Sequence, residues 1–252
     1  MTGSVLAFRH LHASGRFDRP AATLEHDLHR WTRRAPLITH TEIGDEERAS
    51  ALVRDGWSHF RGTGRGADEC AVQWHDETWS LAGVPRAVPV TMLVFSRAHG
   101  GTRAPVHATV VPLRHRASGR ELVQVVAHLP ASVQDGNRFS DMAQRVAAHI
   151  DATRGMRALR RDLGTSFPAA AVVVTADWNL DLLRPAWRRR LRRRLGLRSS
   201  WRRGFLPDRG TLGRRLIDGD FVDGLEVRGG RVLRRGRSSD HRPYVVAYRF
   251  AA

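Results

Sequence analysis

The sequence predicts a mixed α/β fold with mostly antiparallel strands, arranged as two sheets with helices outside. Three observations carry this reading. Short apolar runs of strand character recur from one end of the 252 residues to the other. Segments with helical periodicity stand between groups of consecutive strands, without the strict alternation of a doubly wound fold. No long tail or linker divides the chain, and its length suffices for one substantial core, so a single domain over residues 1–252 is expected.

The elements follow in order. Residues 4–8 (Ser-Val-Leu-Ala-Phe) read as an opening strand, and residues 23–34 as an amphipathic helix with Leu24, Leu28 and Trp31 on one face. The run 37–41 is the next strand, with Glu42 where it ends. Asp45, Glu46 and Glu47 suit a helix N-terminus, with Ala49, Leu52 and Val53 on the buried stripe and Gly56 as the stop. Residues 62–66 hold three glycines in five positions but lack the strand, lysine and hydroxyl of a phosphate-cradling loop, so they read as a turn. Strands are expected over 71–74, 90–95, 104–113 and 121–127, the last two joined as a hairpin turning at Ser118 and Gly119. Residues 140–163 form the longest helix, with Ser140 as its cap, Gly164 as its stop, and Met142, Val146, Ile150, Met156 and Leu159 along its apolar face. Residues 169–175 return to strand, and residues 244–248 form a last one.

Composition narrows the function. Apolar content is 41% and evenly spread, which fits a globular protein. No run approaches the roughly eighteen uninterrupted apolar residues of a membrane span, and residues 1–17 lack an apolar signal core, so a cytoplasmic setting is expected. Cys70 is the only cysteine, which excludes an intrachain disulfide and a cysteine-based zinc cluster. All 42 basic residues are arginine, against 25 carboxylates, leaving a net charge of +17. Pressure toward GC-rich codons accounts for arginine in place of lysine but not for the imbalance of sign. A surface this positive attracts polyanions, nucleic acid first and anionic lipid second.

Polar residues at strand rims carry the chemistry. Glu42 at a strand end is placed to hold magnesium or manganese, which prefer oxygen ligands, or is a solvated loop glutamate. His128 closes the run 122–127 and either donates to a phosphoryl oxygen or anchors the loop that follows. Asp177 and Asn179 follow Val172, Val173 and Val174; if that piece stays extended, both project to one face and can handle a metal, a phosphate or the attacking water, with Trp178 turned into packing. Asp181 is a third member or a helix cap. Asp240 and His241 precede the last strand. Imidazole titrates near neutrality and suits a general base, but adjacent residues do not easily bond one another. The carboxylate orienting His241 is therefore expected from elsewhere, with Asp177 a candidate, leaving Asp240 to act on metal or water.

The ordered set Glu42, His128-Leu-Pro, Ala-Asp177-Trp-Asn179 and Ser-Asp240-His241 resembles the endonuclease/exonuclease/phosphatase superfamily, the DNase I-like proteins, over nearly the whole chain. The resemblance implies a four-layer α/β sandwich of two mainly antiparallel sheets flanked by helices, with the active site on loops at one end. It further implies divalent-metal-dependent hydrolysis of phosphoesters with Mg2+ or Mn2+. In that scheme Glu42 and Asp240 serve the metal, His128 the phosphoryl transition state, and Asp177 and Asn179 the water and phosphate, while His241 is the general base. The chain departs from the pattern twice. The family's early asparagine falls near Arg9 or His10, where none stands, and Thr41 replaces a common glutamine. Arg9 can hold phosphate but cannot coordinate a cation.

Residues 184–203 contain ten arginines in twenty positions, with Trp187, Leu191 and Leu195 recurring every four residues. This reads as an amphipathic helix inserted after the Asp177 rim, its apolar face packed and its arginines, Arg188, Arg189 and Arg192 among them, gripping a phosphate backbone. The best sequence reading is a metal-dependent nuclease acting on DNA. The alternatives are a phospholipid or small phosphate-ester hydrolase, and a catalytically weakened relative that only binds nucleic acid.

Overall fold

Two sheets face one another in the computed structural model, which describes residues 7–15, 19–64, 66–96, 103–131, 133–134, 141–201 and 206–251. In chain order the elements are β1 (Ala7–Ser14), α1 (Ala21–Trp31), β2 (Leu37–Thr41), α2 (Glu46–Ser50), β3 (Trp57–Arg61), β4 (Ala71–His75), β5 (Trp79–Leu81), β6 (Arg86–Pro89), β7 (Phe95–Ser96), β8 (Arg103–Ala104), β9 (His107–His115), β10 (Glu121–His128), α3 (Met142–Ser166), β11 (Ala171–Asp177), α4 (Pro185–Leu195), β12 (Arg198–Ser199), β13 (Asp218–Asp223), β14 (Leu225–Val232) and β15 (Tyr244–Phe250). The first sheet has the order β14-β15-β1-β2-β4-β3. The second has the order β12-β13-β11-β10-β9-β5, with β6 also on β9, and β7 pairs with β8 apart from both. Only β1 with β2 and β10 with β11 are parallel among these pairs.

Alternation along the strands builds the layers. On β1, Leu11 and Ala13 join Ile38 of β2 beneath Leu24, Leu28 and Trp31 of α1. Phe8, His10 and His12 therefore point the other way, toward the second sheet. Every residue of β11 is buried, because strands pair with both of its edges and both of its faces are covered. That is why it reads as an unbroken apolar run. Ala148, Ala152 and Met156 of α3 and Leu191 and Leu195 of α4 share the core of Val123, Val125, Val172 and Val174. Each such fully buried Val or Leu contributes about 1.5–3 kcal/mol. The result is helix, sheet, sheet, helix, the architecture expected from the sequence. Among the described residues no helix is long and apolar enough to cross a membrane.

The space between the sheets also holds a polar layer. Asp220 of β13 accepts from Thr175 Oγ1 at 2.9 Å and from the hydroxyls of Tyr244 and Tyr248, and faces His10 Nδ1 at 3.0 Å. Gln124 Nε2 donates to Thr175 Oγ1 at 2.9 Å, and His10 Nε2 lies 3.0 Å from Thr39 Oγ1. All of these residues are buried. Burial alone drives the Asp220 carboxyl upward, but His10 and the tyrosine hydroxyls hold it below the usual carboxylate range.

Several boundaries differ from the expectation. The first strand runs on to Ser14, with both ring nitrogens of His10 and Nδ1 of His12 hydrogen-bonded between the sheets; residues 4–6 and the expected cap Ser140 lie outside the described residues. Of the strand expected at 90–95 only Phe95 is in a strand, at the start of β7. The chain pairs earlier, as β6, and beyond Pro89 leaves Met92, Leu93 and Val94 exposed. Pro105 divides the expected 104–113 strand into β8 and β9. Ala49 and Leu52 are buried as expected, but α2 ends at Ser50 and Val53 is 69% exposed. Gly164 does not stop α3. A glycine weakens a helix by about 1 kcal/mol without ending it, and the chain leaves only at Phe167, ahead of Pro168. The short or polar strands β3, β5, β12, β13 and β14 carry too little apolar alternation to be read from sequence.

This core can be tested at two points. Asp220→Ala orphans four buried donors and is expected to lower the unfolding free energy by about 3–5 kcal/mol in urea titration. A loss below about 1 kcal/mol, ordinary for any point mutant, would contradict the network. Burial, and then neighbouring positive charge, lower His40 to about 3, and burial lowers His149 to about 4. Between those values and the unfolded value near 6.5 the unfolded chain binds the extra proton, so their contribution is complete above pH 6.5 and declines as pH falls. The buried acids Glu42 and Asp177 act in the opposite sense, so the test is a difference. The stability of wild type relative to His149→Gln should fall by about 1.4 kcal/mol per pH unit between pH 6.5 and 4.5, and a flat difference would refute it.

Candidate active site

Register alone brings the first residues together. β10 and β11 pair His128 with Asp177, and β11 and β13 pair Asp177 with Asp218, so three neighbouring strands set these side chains in a row at one rim. The facing sheet supplies Glu42 from the end of β2, His12 from β1, and His241 from the loop before β15. His241 Nδ1 lies 3.0 Å from Asp218 Oδ2, and His12 Nε2 lies 3.4 Å from Asp218 Oδ1. His128 Nε2 is 3.7 Å from both Glu42 Oε1 and Asp177 Oδ2, while its Nδ1 is 3.1 Å from Glu69 Oε2. Asp177, Asp218 and His241 each offer a ligand atom, all within 4.8 Å of one another, and this group can hold a divalent cation.

Backbone strain is concentrated here. Glu42 at φ 59° and Asn179 at φ 50° are the non-glycine residues with positive φ among the described residues. Such conformations persist only where surroundings enforce them. Around Glu42, Ile43 N donates to Glu69 O at 3.1 Å and Gly44 N to Asp68 O at 3.2 Å. Gly15 N donates to Thr41 O at 2.7 Å, and a Cβ on Gly15 would stand 2.7 Å from the Glu42 carbonyl oxygen, so this approach requires glycine. Asn179 is fixed by its N–H on Asp177 Oδ1 at 2.9 Å and its Nδ2 on Leu129 O at 2.8 Å. Trp178 is buried between them, its Nε1 donating to Gly219 O at 2.8 Å, and His149 of α3 donates to the Trp178 carbonyl at 2.8 Å. The His241 loop hangs on α1: Asp27 accepts from Arg237 N, Ser238 N and Ser238 Oγ at 2.6, 2.8 and 2.7 Å. Ser239 Oγ then accepts from His241 N at 2.9 Å and donates to Gly15 O at 3.0 Å.

The cluster carries more acid than base. Burial, opposed by His128 and His241, raises Glu42. Burial and then the charge of Asp218 raise Asp177. Burial also works to raise Asp218, but His241 and His12 pull it far below the usual carboxylate range. Burial works to lower both histidines, yet Glu69, Glu42 and Asp177 bring His128 to about 9, and Asp218, Asp177 and Glu42 bring His241 to about 10. Protons thus occupy a hollow of negative potential that a cation can fill instead.

The residues expected from sequence divide accordingly. Glu42, His128, Asp177, Asn179 and His241 converge. Asp240 is partly buried, and its charge reaches Glu42 without joining the three-ligand group. The carboxylate on His241 is Asp218, not Asp177. The Asp177–Asn179 piece turns at Asn179 instead of staying extended. Asp181 neither joins the cluster nor caps a helix: Arg184 precedes α4, and Asp181 Oδ1 accepts from Leu183 N and Leu216 N at 3.1 and 3.2 Å. Arg9 is exposed in a separate groove with Arg34 and Gly230, and His10 is taken up by Asp220, so neither faces the cluster. The early strand's contribution is His12. Arg188, Arg189 and Arg192 line a groove of about 570 Å³ beside α4, with Trp201 and Glu226. Asp218, Glu69 and Asp27 escaped the sequence reading. An acid opening a strand, as Asp218 opens β13 and Glu69 precedes β4, was a signal available for two of them.

No protein-family model matches the chain, and no curated protein matches it in sequence. Solved structures do. The catalytic domain of human Nocturnin, solved with bound sulfate, aligns with TM-score 0.67 at 17% identity over 97% of this chain and 94% of its own. An endonuclease/exonuclease/phosphatase from Bacteroides vulgatus aligns with TM-score 0.69 at 12% identity, over 98% and 100%. TDP2 of D. rerio, complexed with single strand DNA product, aligns with TM-score 0.67 at 13% identity, over 96% and 98%. The chain has the fold of these proteins along its length, the DNase I-like fold expected from its motifs.

The Asp218–His241 pair has a direct test. Asp218→Asn keeps the shape but removes the charge beneath the imidazole. His241, followed by NMR in the presence of chelator, is expected to titrate about 1–3 units lower than in wild type. An unchanged titration would remove Asp218 from its assigned role.

Proposed function

We propose that the protein hydrolyses phosphodiesters of nucleic acid, DNA foremost, using Mg2+ or Mn2+. The observation that carries this reading is the meeting of the Asp218–His241 pair with Glu42, His128, Asp177 and Asn179 at one rim. The donor set fits such an ion: carboxylate oxygens dominate it, and Asp218 Oδ1 is buried without a hydrogen bond of its own, His12 standing off at 3.4 Å. Asp177 and Asp218 of the three-ligand group would hold the cation, with Glu42 and Asp240 adding charge nearby. Similarity to proteins described as a phosphatase and as complexed with a DNA product supports phosphoester chemistry, and the net charge of +17 supports a polyanionic substrate.

The geometry supports the following roles. Asp218 occupies His241 Nδ1, which leaves Nε2 to take a proton from water as the water oxygen bonds to phosphorus and the bond to the leaving oxygen breaks. Asp177 and Asn179, locked to each other through the Asn179 N–H, orient water and phosphate. His128 is protonated near neutrality; Glu69 holds its Nδ1, so Nε2 is the donor for a phosphoryl oxygen as charge develops. A divalent cation, when bound, offsets phosphoryl charge and lowers His241 toward the neutral range.

Chelator is expected to abolish turnover of plasmid DNA, and added Mg2+ or Mn2+ to restore it. His241→Ala and Asp218→Asn should each reduce kcat/KM by about 10²–10⁴ without a matching loss of folded protein. Metal-dependent turnover that survives both changes would refute the assignment. Turnover of phospholipid or small esters without competition from DNA would move the substrate class.

A further inference from the structure

Helix α4 carries six arginines and no carboxylate, and its arrangement exceeds what catalysis at the rim requires. At roughly 100° per residue its inward stripe is Leu191 and Leu195, both buried, with the partly buried Trp187 packed against the same core. Arg188 and Arg192 then flank one side, Arg190 and Arg194 the other, and Arg189 and Arg193 form the exposed crest. On the first flank lies the groove of about 570 Å³, walled opposite α4 by Arg198, Arg228 and Glu226, the last two paired at 3.6 Å. On the second lies a groove of about 460 Å³ lined by Arg194 together with Arg154, Arg157 and Arg161, which repeat along one face of α3. Among the described residues, no carboxylate forms an ion pair with any arginine between 188 and 194. Like charges gathered this closely destabilise the free protein and favour an anionic partner.

The two arginine rows are separated by the width of one helix, about 10–12 Å. The phosphate rows bordering the major groove of B-form DNA are separated by a groove about 12 Å wide. We propose that α4 is a duplex-binding ridge that seats in the major groove, with each flanking arginine groove taking one phosphate strand. The biological sense of this ridge rests on the nucleic-acid reading above; the binding itself does not. A single strand would fill only one groove, and the major groove of A-form RNA is too narrow for a helix. The crest offers no large apolar residue to a lipid surface: Trp187 is turned inward, with the Arg190 guanidinium 5.4 Å from its ring centroid.

The test uses the full chain in chelator, so that binding is read without turnover. Fluorescence anisotropy would compare a DNA duplex of about two helical turns, the single strand of equal length, the matching RNA duplex and phosphatidylserine vesicles. The DNA duplex should bind roughly tenfold or more tightly than any rival. Charge reversal in either groove, at Arg188 and Arg192 or at Arg154 and Arg157, should weaken duplex binding and lower the salt slope by about one for each phosphate no longer engaged. Reversal of Arg30 and Arg33 on the α1 side, across the sandwich, should change little. Arginine-to-glutamine pairs serve if a reversed variant does not fold. Equal affinity for single strand, RNA or vesicles, or an effect confined to one groove, overturns the ridge. Turnover of a small chromogenic phosphodiester with Mg2+ separates the two readings. A wild type that turns over this ester but shows no preference for duplex keeps the hydrolase and loses the ridge, whereas one that binds duplex but never turns over sinks the hydrolase and leaves the ridge.

Discussion

Two carboxylates on one strand, Asp218 and Asp220, are held between the sheets by donors that come mainly from the opposite sheet. His10 and the hydroxyls of Tyr244 and Tyr248 reach across to Asp220, and His12 and His241 reach across to Asp218. Buried ionised groups persist where opposite charge and donors compensate them, which favours the register that brings these partners together. The same requirement that fixes the sandwich also aims His241. Stability and chemistry share a single row of β13 side chains, separated by the glycine that lets Trp201 and Leu182 pack against the strand between them.

The rim above that row is built under tension. Positive φ at Glu42 and Asn179, buried acids with raised affinity for protons, and two histidines that stay charged well above neutrality occur within a few ångströms of one another. None of this favours folding by itself. It is tolerated because Asp27, Gly15, His149 and the Glu69 loop clamp each segment from outside the cluster. Negative potential held open in this way suits a cation and, beyond it, a phosphoryl group.

Charge on the outer helices follows a different logic. At the rim, acids concentrate and are neutralised locally by histidine. Along the groove between α3 and α4, Arg154, Arg157, Arg161 and Arg194 gather with no carboxylate ion pair among the described residues, and the apolar stripe of α4 anchors that helix to the core. The molecule therefore presents a hollow of acids and histidines and a separate arginine-rich surface, the division on which the proposed grip on a polyanion rests.

Much of this was legible in the residues. The apolar runs marked the central strands, helical spacing placed α1, α3 and α4, and ordered acids and histidines at strand ends marked Glu42, His128, Asp177, Asn179 and His241. Local pattern sufficed there because each signal lies within a few residues of an apolar run. What sequence did not reveal depends on pairing across the fold. Asp218 lies 23 positions from the histidine it serves, Asp27 acts on a loop more than two hundred residues away, and β13 is too acidic to announce itself as a strand. The sequence pattern puts the early-strand position near Arg9 or His10, whereas the fold gives His10 to Asp220 and brings His12, two residues further along the same face of β1, to Asp218. Side-chain chemistry is written in the chain, but which carboxylate meets which imidazole is decided by strand register and by the need to compensate every buried charge.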